Sequence, residues 1–469
     1  MVLTSERSRN ESHPKQRPAP RASGSSADPR AEKPGLQSRQ AAAKLLAAVV
    51  DRQTPLDGML DVEHGNPAYR ALSESDRALV RAVLNTALRH LPRIQAIIDS
   101  LVETPLPEGA RSLYHVLTVA AAQILYLDVP DHSAVDLAVE QARADPRSRR
   151  FANLVNAVLR RLAREKVAHL TATHAIPVVP SWFFNRLVQV YGDEHARRIA
   201  DSLLEPAAID LTVRSDPEGW ADRLGGLVLP TGSVRLAAFS GRIPELAGFA
   251  EGEWWVQDAA AAIPAGLFPE LAGQRVADLC AAPGGKTAQL ALAGADVTAI
   301  DQSTSRLKRL QANLARLSLP VQTVEANLLD FQPETPFDAV LLDAPCSSTG
   351  TIRRHPDVLW TKGPQDIAKL AGLQERMLRH AMTLVRPGGH LVFSNCSLDP
   401  LEGEEVTARV LADVFGWSRV AIDPQRWPGL GEAVSPLGEI RTTPAMLPGH
   451  GATAGGLDGF YAVLLRRAD

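Results

Sequence analysis

Cysteine is scarce in this chain, with only three in 469 residues. So few thiols exclude a disulfide framework and are typical of a protein in a reducing compartment. We also expect no bound metal, because the three cysteines are far apart and form no C-x-x-C pair. Their positions are informative all the same, since Cys280, Cys346 and Cys396 each lie where an apolar run ends in a small-residue loop.

Long apolar runs and strong net charge are also missing. No segment reaches the roughly 18 uninterrupted apolar residues of a membrane span, and residues 1–36 hold no apolar stretch typical of a signal peptide. We therefore expect a cytoplasmic protein without membrane contact. The formal net charge of −3 neither requires nor excludes a nucleic-acid partner, because local charge clusters decide such binding. Nothing indicates an obligate partner, so we expect a monomer.

Composition and periodicity divide the chain into four segments. Residues 1–36 are rich in Ser, Pro, Arg and Lys, which predicts a disordered basic tail, either a solubilising extension or an RNA-grasping arm. Residues 37–170 carry helical apolar stripes and predict an all-α bundle. Residues 171–250 predict a small α/β connector, with strands at 211–214 and 233–237 around a helix. Residues 251–469 alternate strands and helices and predict an α/β domain.

This last segment predicts a mostly parallel sheet covered on both faces. The predicted strands are 276–280, 296–301, 321–327, 337–345, 390–397 and 459–467, the last of them antiparallel at or near an edge. Open α/β sheets place their ligands at the carboxyl ends of the strands. The three cysteines lie at such ends, which suggests that they share one cleft.

The motif DLCAAPGGKT (278–287) follows the first of these strands. Its glycines let a ligand approach the backbone closely, and the helix behind them offers unpaired N–H groups. The second strand ends in Asp301, which can accept hydrogen bonds from ribose hydroxyls, and the third ends in Asn327, which could serve an adenine edge. Because the loop matches neither the dinucleotide nor the P-loop pattern, it indicates an adenosine-type cofactor.

Two of the cysteines lie in polar loops, Cys346 in PCSS and Cys396 in NCS. Free cysteine is often inert packing, and that remains the alternative for each. A thiolate beside a methyl donor has a specific use, because its addition to carbon 6 of cytosine makes carbon 5 nucleophilic. An acid near ring nitrogen 3 stabilises the charge that develops. Cys396, Asp343 and Cys346 form such a set of nucleophile, acid and helper.

At these residues the sequence resembles the RNA cytosine-5 methyltransferases, in particular the bacterial 16S ribosomal RNA enzymes of the RsmB/Sun (Fmu) type, over residues 37–469. The matching motifs are DxCAAPGGKT at 278–287, DAPCSxxG followed by RRxPDxxW at 343–360, NCS at 395–397 and QD at 257–258. The resemblance implies a NusB-like RNA-binding bundle, a Rossmann-like methyltransferase domain that uses S-adenosylmethionine, and 16S ribosomal RNA or a small-subunit assembly intermediate as substrate.

The resemblance also implies a role for each residue of the site. Cys396 attacks carbon 6, Cys346 assists product release and Asp343 contacts the cytosine. The residues implied in holding S-adenosylmethionine are Cys280, Ala281, Ala282, Pro283, Gly284, Gly285, Lys286, Asp301, Asn327 and Asp343. Two positions depart from the family: Asn327 replaces the usual Asp, which predicts weaker but intact donor binding, and Asn395 replaces the usual Thr, which changes the geometry of the nucleophile loop.

Basic residues predict where RNA would lie. Arg353, Arg354 and Lys362 follow the Cys346 loop and are expected to hold the phosphates that flank the target, with ordinary surface charge as the alternative. Residues 143–166 carry eight Lys/Arg against two Asp/Glu, which indicates a phosphate-contacting surface or a solvated helix face. The target cytosine must lie in a loop or be flipped out, because a stacked base hides carbon 6.

Two rival functions belong to other classes. One is an RNA-binding assembly factor with an inactive methyltransferase fold, and the other is a methyltransferase that acts on a protein or a small molecule. Neither needs a thiol, so the presence of both Cys346 and Cys396 favours the cytosine-5 mechanism.

Overall fold

A computed structural model describes residues 33–104, 106–107, 110–237, 241–447, 449 and 455–469 of the chain. The predicted basic tail therefore lies outside the described residues, except for its last four. Among the helices of these residues, none combines the length and the apolar character that a membrane span requires.

The N-terminal part is a helical bundle around one apolar core, as the spacing predicts. Its helices are α1 (Leu36–Arg52), α2 (Leu56–Met59), α3 (Pro67–Arg70), α4 (Glu74–Arg89), α5 (Leu91–Leu101), α6 (Arg111–Tyr126), α7 (Asp131–Ala144), α8 (Ala152–Arg164) and α9 (Lys166–Thr173). Helix α6 is the central one, because α1, α4, α5, α7 and α8 all pack against it. Its Leu113, Leu117 and Ile124 are fully buried.

Three helices and a small sheet connect this bundle to the C-terminal segment. They are α10 (Ser181–Tyr191), α11 (Asp193–Asp201), β1 (Asp210–Val213), α12 (Pro217–Leu224), β2 (Gly226–Val228), β3 (Val234–Leu236) and β4 (Trp254–Val256). The four strands are antiparallel in the order β2-β3-β1-β4. The predicted strand–helix–strand unit is confirmed, but the predicted limit at residue 250 cuts through the sheet, because β4 pairs with β1.

The C-terminal segment is built on an eight-stranded sheet. Its elements are β5 (Arg275–Leu279), α13 (Gly285–Leu292), β6 (Asp296–Asp301), α14 (Thr304–Arg316), β7 (Gln322–Glu325), β8 (Phe337–Asp343), α15 (Val358–Thr361), α16 (Pro364–Thr383), β9 (Val385–Asn395), α17 (Glu404–Asp413), β10 (Trp417–Arg419), β11 (Ile440–Arg441) and β12 (Tyr461–Arg467). The strand order is β10-β12-β9-β8-β5-β6-β7, with β11 paired to β12. Strands β9, β8, β5, β6 and β7 are parallel, and β12 is antiparallel one place from the edge, as predicted.

Alternate residues of the central strands enter two different apolar clusters. Val276 and Leu341 belong to one cluster, while Ala277 and Val340 belong to the other. Both faces of the sheet are therefore covered, which explains the nearly continuous apolar strands of this segment. The carboxyl ends of β8, β5 and β6 lie side by side and form one edge on which the site is built.

Residues 353–362, which we call the strap, join this edge to the helical bundle. Trp360 packs against the core of the bundle, and its Nε1 donates to the carbonyl of Leu88 at 3.2 Å. The Asp357 carboxylate accepts from the backbone N–H of Leu56 at 3.0 Å. Because the strap begins shortly after Cys346, the bundle is fixed to the backbone that leads away from this cysteine.

Asp210→Ala should destabilise the protein by about 3–5 kcal/mol, because it removes the carboxylate from a buried ion pair. Asp210 accepts from Nε and Nη2 of Arg235 at 2.6 and 2.7 Å, and both side chains are buried. Urea denaturation gives the free energy of unfolding. The control Asp193→Ala breaks an exposed pair with Arg197 and should cost less than about 1 kcal/mol; an equal loss in both variants would contradict this account of the connector sheet.

Candidate active site

Two cavities open at the carboxyl edge of the parallel strands. The first, of about 390 Å³, is lined by residues that follow β5, β6, β7 and β8. The second, of about 540 Å³, lies against the loop after β5 and against the residues just before β12. Both volumes are in the range of small-molecule sites. Cys280, Ala282, Asp343 and Cys396 line both cavities, so the two spaces meet at these residues.

The loop between β5 and α13 needs its glycines for backbone reasons. Gly284 has φ +103°, a value that side chains disfavour. A Cβ on Gly285 would lie 3.3 Å from Cδ of Gln257, which is tighter than ordinary packing allows. The glycines therefore let this loop fold closely against Gln257, the first residue of the QD motif.

Asp278 lies beneath this loop as a buried acid. Thr287 Oγ1 donates to its Oδ2 at 2.5 Å, and its Oδ1 has no hydrogen-bond partner among the described residues. Burial raises the pKa of Asp278 to about 7. Burial likewise raises the pKa of the nearby Cys280 thiol to about 12, which disfavours a Cys280 thiolate near neutral pH.

The first cavity fits S-adenosylmethionine. Asp301 ends β6 and is held by the backbone N–H groups of Ala282 and Ser303 at 3.3 and 3.0 Å, which fixes an anionic acceptor where a ribose would lie. Ile300, Ala326, Leu328, Leu329 and Met377 supply an apolar lining for an adenine face. The buried Oδ1 of Asp278, which has no hydrogen-bond partner among the described residues, is a further polar atom beside the second cavity.

Asn327 lies two residues beyond the end of β7 and not at its last position. It begins a short turn, where its Oδ1 accepts from the Leu329 N–H at 3.3 Å and its Nδ2 donates to Asp330 at 2.7 Å. It still lines the first cavity. The amide therefore has a structural task that the sequence did not reveal.

The predicted donor residues divide between the two cavities. Asp301 and Asn327 line the first alone, Cys280, Ala282 and Asp343 line both, and the remaining five line the second alone: Ala281, Pro283, Gly284, Gly285 and Lys286. The Lys286 Nζ lies 4.7 Å from the ring centroid of Phe460, which is also on the second cavity. The side chain of Lys286 thus faces the second space.

The two predicted catalytic thiols are in contact. Cys346 Sγ lies 3.3 Å from Cys396 Sγ. The hydrogen bond from Cys346 lowers the pKa of Cys396, while the same bond and burial raise the pKa of Cys346. This difference favours a thiolate on Cys396 and a thiol on Cys346, since the proton stays on the group with the higher pKa.

Asp343 is fixed beside this pair through both of its oxygens. Lys286 Nζ donates to Oδ2 at 2.7 Å, and Ser394 Oγ donates to Oδ1 at 3.0 Å. The last residue of β8 is thereby tied to the neighbouring strand β9 and to the first turn of α13. The arrangement presents a carboxylate, an ammonium group and a thiolate toward one space.

Two residues hold the cysteine loops: Glu402, which the sequence did not single out, and Asn395. Glu402 accepts from the backbone N–H of Ser347 at 2.8 Å and from Ser397 Oγ at 2.6 Å. Asn395, the departure from the family's Thr, donates from Nδ2 to the Glu402 carbonyl at 2.6 Å and accepts from the Ser397 N–H at 3.0 Å. The asparagine therefore takes part in closing the nucleophile loop.

The expected phosphate contacts of Arg353 and Arg354 do not match the structure. Arg353 is 2 % exposed, and its Nη2 donates to the Gly455 carbonyl at 2.8 Å. Arg354 lies at the second cavity but is bound by Asp258 and Asp458 at 2.5 and 3.0 Å. The predicted phosphate contact of Arg353 is wrong, because its side chain is buried. The guanidinium of Arg354 is already neutralised by two carboxylates.

Lys362 remains available as a surface cation. It is half-buried at a shallow surface cavity that it shares with Lys369 and Arg376. Trp360, the last residue of the RRxPDxxW motif, packs on the bundle. Within the described ranges, no group of three or more His, Cys, Asp or Glu side chains could hold a metal ion.

Comparisons with known proteins agree with this architecture. The family described as 16S rRNA methyltransferase RsmB/F matches residues 267–466, and the NusB family matches residues 36–164. A protein named ribosomal RNA small subunit methyltransferase B from Vibrio vulnificus is 33% identical over 467 residues, which cover 92% of this chain and 100% of that protein. The protein of the same name from Xanthomonas campestris is 34% identical and covers 84% of this chain and 94% of its own length.

Among solved structures, a methyltransferase homologue from Pyrococcus horikoshii is 27% identical, with a TM-score of 0.51 over 61% of this chain and 94% of that one. The fold and the first cavity define a methyltransferase that depends on S-adenosylmethionine and carries an N-terminal NusB domain. The chain belongs to the RsmB/F family of 16S ribosomal RNA methyltransferases.

Asp278→Asn should flatten the dependence of stability on pH. The folded protein holds a proton on Asp278 up to about pH 7, whereas an unfolded Asp releases it near pH 3.9. Stability is therefore lost between these two values as pH rises, by up to about 1.4 kcal/mol per pH unit from this group. Urea denaturation from pH 4.5 to pH 8 measures the slope. The exposed Asp296→Asn serves as control, and equal slopes in both variants would refute the assignment.

Proposed function

We propose that the chain transfers a methyl group from S-adenosylmethionine to carbon 5 of a cytosine in 16S ribosomal RNA, through a covalent bond between Cys396 and carbon 6. The observation that carries this proposal is the 3.3 Å contact between Cys346 and Cys396 at the junction of the two cavities. A thiolate is needed at that junction only if the acceptor carbon must be activated by addition.

The second cavity is where the cytosine would enter. Cys396, Asp343 and Lys286 line it together. Addition of the Cys396 thiolate to carbon 6 places negative charge on the ring, and Lys286 and Asp343 stand at 2.7 Å from each other to stabilise and orient that charged edge. When bound in the first cavity, S-adenosylmethionine supplies an electrophilic methyl group next to this ring.

The hydrogen bond between Cys346 and Cys396 can assist both the addition of the Cys396 sulfur to carbon 6 and its later release. Before addition, the Cys346 S–H stabilises the Cys396 thiolate that attacks carbon 6. After methyl transfer, a base removes the proton of carbon 5 and the bond between carbon 6 and sulfur breaks. Cys346 then donates to the departing sulfur, which is its proposed role in product release.

Ribosomal RNA is the substrate of the family, and the basic stretch of the bundle is the surface that we propose for its phosphates. Arg143, Arg147, Arg149 and Arg150 are all exposed around the end of α7. Some cations of α8 are less available, since Arg161 and Arg164 both pair with Glu165. The monomeric state and the cytoplasmic location remain predictions from the sequence.

Cys396→Ala should abolish methyl transfer, because no other thiolate can add to carbon 6. Cys346→Ala should instead accumulate a covalent complex between protein and RNA, since release of the Cys396 sulfur loses its donor. Labelled S-adenosylmethionine, 16S RNA fragments and denaturing gels measure both outcomes. Cys280→Ala is the matched control; it keeps both Cys346 and Cys396, so it should transfer the methyl group without accumulating the complex. Full transfer by Cys396→Ala would overturn the covalent mechanism, and a methylated product other than 5-methylcytosine would overturn the assigned acceptor.

Arg143→Ala combined with Arg147→Ala should weaken RNA binding in a salt-dependent way. Loss of two phosphate contacts reduces the slope of log affinity against log salt concentration by about 1.4–1.8, because each contact releases condensed counterions. Titrations of a 16S RNA fragment between about 50 and 300 mM salt give the slope. The connector variants Arg223→Ala and Arg242→Ala remove the same charge elsewhere; if they change the slope equally, the bundle face is not the RNA surface.

A further inference from the structure

Glu402 is a buried carboxylate between the two cysteine loops. It is 0 % exposed and ends the short turn Pro400–Glu402 that precedes α17. It is not among the residues that line either cavity, so it meets neither the donor nor the RNA base. Burial raises the pKa of Glu402, and the hydrogen bonds that it accepts oppose this rise.

The carboxylate binds the residue that follows each cysteine. Oε1 accepts from the Ser347 N–H at 2.8 Å, and Oε2 accepts from Ser397 Oγ at 2.6 Å and also from Ser347 Oγ. One side chain therefore ties position 347, next to Cys346, to position 397, next to Cys396. No other buried acid in the described part of the chain bridges these two loops.

The residues that precede the cysteines are tied to the same centre. Gln374 Nε2 donates to Glu402 Oε1 at 3.1 Å and to the Pro345 carbonyl at 2.9 Å. Asn395 Nδ2 donates to the Glu402 carbonyl at 2.6 Å. Both neighbours of Cys346 and both neighbours of Cys396 are thus held by Glu402 or by its partner Gln374, which fixes the separation of the sulfurs.

The charge of Glu402 acts unequally on the two thiols. It adds to the hydrogen bond and the burial that raise the pKa of Cys346. The pKa of Cys396 is lowered chiefly by the hydrogen bond from Cys346, with a smaller contribution from Lys286, against burial and the charge of Asp343, which raise it. A buried charge is costly unless it is well bonded. The four hydrogen bonds to the Glu402 carboxylate meet this condition, so the charge can persist beside Cys346.

We propose that Glu402 is a positioning residue that holds the two sulfurs in contact and keeps their shared proton on Cys346, which leaves Cys396 as the attacking thiolate. The inference rests on the proposed covalent mechanism. It differs from that mechanism because Glu402 touches no reacting atom and acts through its hydrogen-bonded neighbours and its charge.

Two variants separate the hydrogen bonds that Glu402 makes to the cysteine loops from the effect of its charge. Glu402→Gln keeps a side chain of the same shape, whose amide can donate to the hydroxyls of Ser347 and Ser397, but it removes the charge. Glu402→Ala removes both. Glu439→Gln is the matched control, because Glu439 is also buried in this domain (2 % exposed) and pairs with Arg419 away from the cysteine loops.

Alkylation of the RNA-free protein by iodoacetamide, followed by mass spectrometry of the Cys346 and Cys396 peptides, reports where the thiolate resides. Wild type should react first at Cys396. Glu402→Gln should shift the ratio of modified Cys396 to modified Cys346 toward Cys346 by about threefold or more, because Cys346 ionises more easily without the neighbouring charge. Glu439→Gln should keep the wild-type ratio.

Steady-state kinetics measure how much the hydrogen bonds of Glu402 to the two cysteine loops contribute to catalysis. Glu402→Ala should lower kcat by about tenfold or more while KM for S-adenosylmethionine stays within about twofold, since displaced sulfurs slow the chemistry and leave the first cavity intact. Glu402→Gln should recover most of this loss. If Glu402→Ala does not fold, Ser397→Ala replaces it and should lower kcat in the same direction, because it removes one bond to the carboxylate.

The two proposals fail in different ways. Transfer by Cys396→Ala would remove the covalent mechanism, whatever Glu402 does. An inactive Cys396→Ala, together with wild-type kcat and wild-type alkylation ratios in Glu402→Ala and Glu402→Gln, would leave that mechanism intact and overturn the positioning role of Glu402.

Discussion

The contact between two sulfur atoms depends on the parallel pairing of β8 and β9. Cys346 follows the end of β8 and Cys396 follows the end of β9, and the register pairs Asp343 with Ser394 across these strands. Parallel neighbours end at the same edge, so two cysteines that are distant in sequence leave the sheet side by side. The methyl donor's cavity adjoins them because β5 and β6 end at that edge too.

The fold was largely predictable because its elements have strong periodic patterns. Apolar residues at helical spacing predicted the bundle helices, and nearly continuous apolar runs predicted the parallel strands. The short strands β2, β4, β10 and β11 were not predicted, since two or three residues carry too little pattern to distinguish a strand from a loop. Strand ends were less certain as well: β7 stops at Glu325, which moves Asn327 into a turn.

The site was predictable where chemistry dictates residue type and unpredictable where tertiary contacts decide. The glycine loop, Asp301, Asp343 and the cysteines stood out because few residue types suit the chemistry predicted for them, and the structure brings them to one edge of the sheet. Arg353 looked like a phosphate ligand because arginine is usually exposed, yet the structure buries it against the Gly455 carbonyl. Glu402 gave no signal, because an acid within a short acidic stretch looks solvated until the fold encloses it.

The strap has a consequence for how the enzyme handles a long polymer. Arg89 of the bundle donates to the Arg353 carbonyl at 3.0 Å, and Trp360 donates to the Leu88 carbonyl. The backbone of the strap leads directly back to Cys346. These contacts hold the NusB domain against the strap. If the basic helices bind RNA as proposed, their distance from Cys396 favours an RNA whose folded shape spans both.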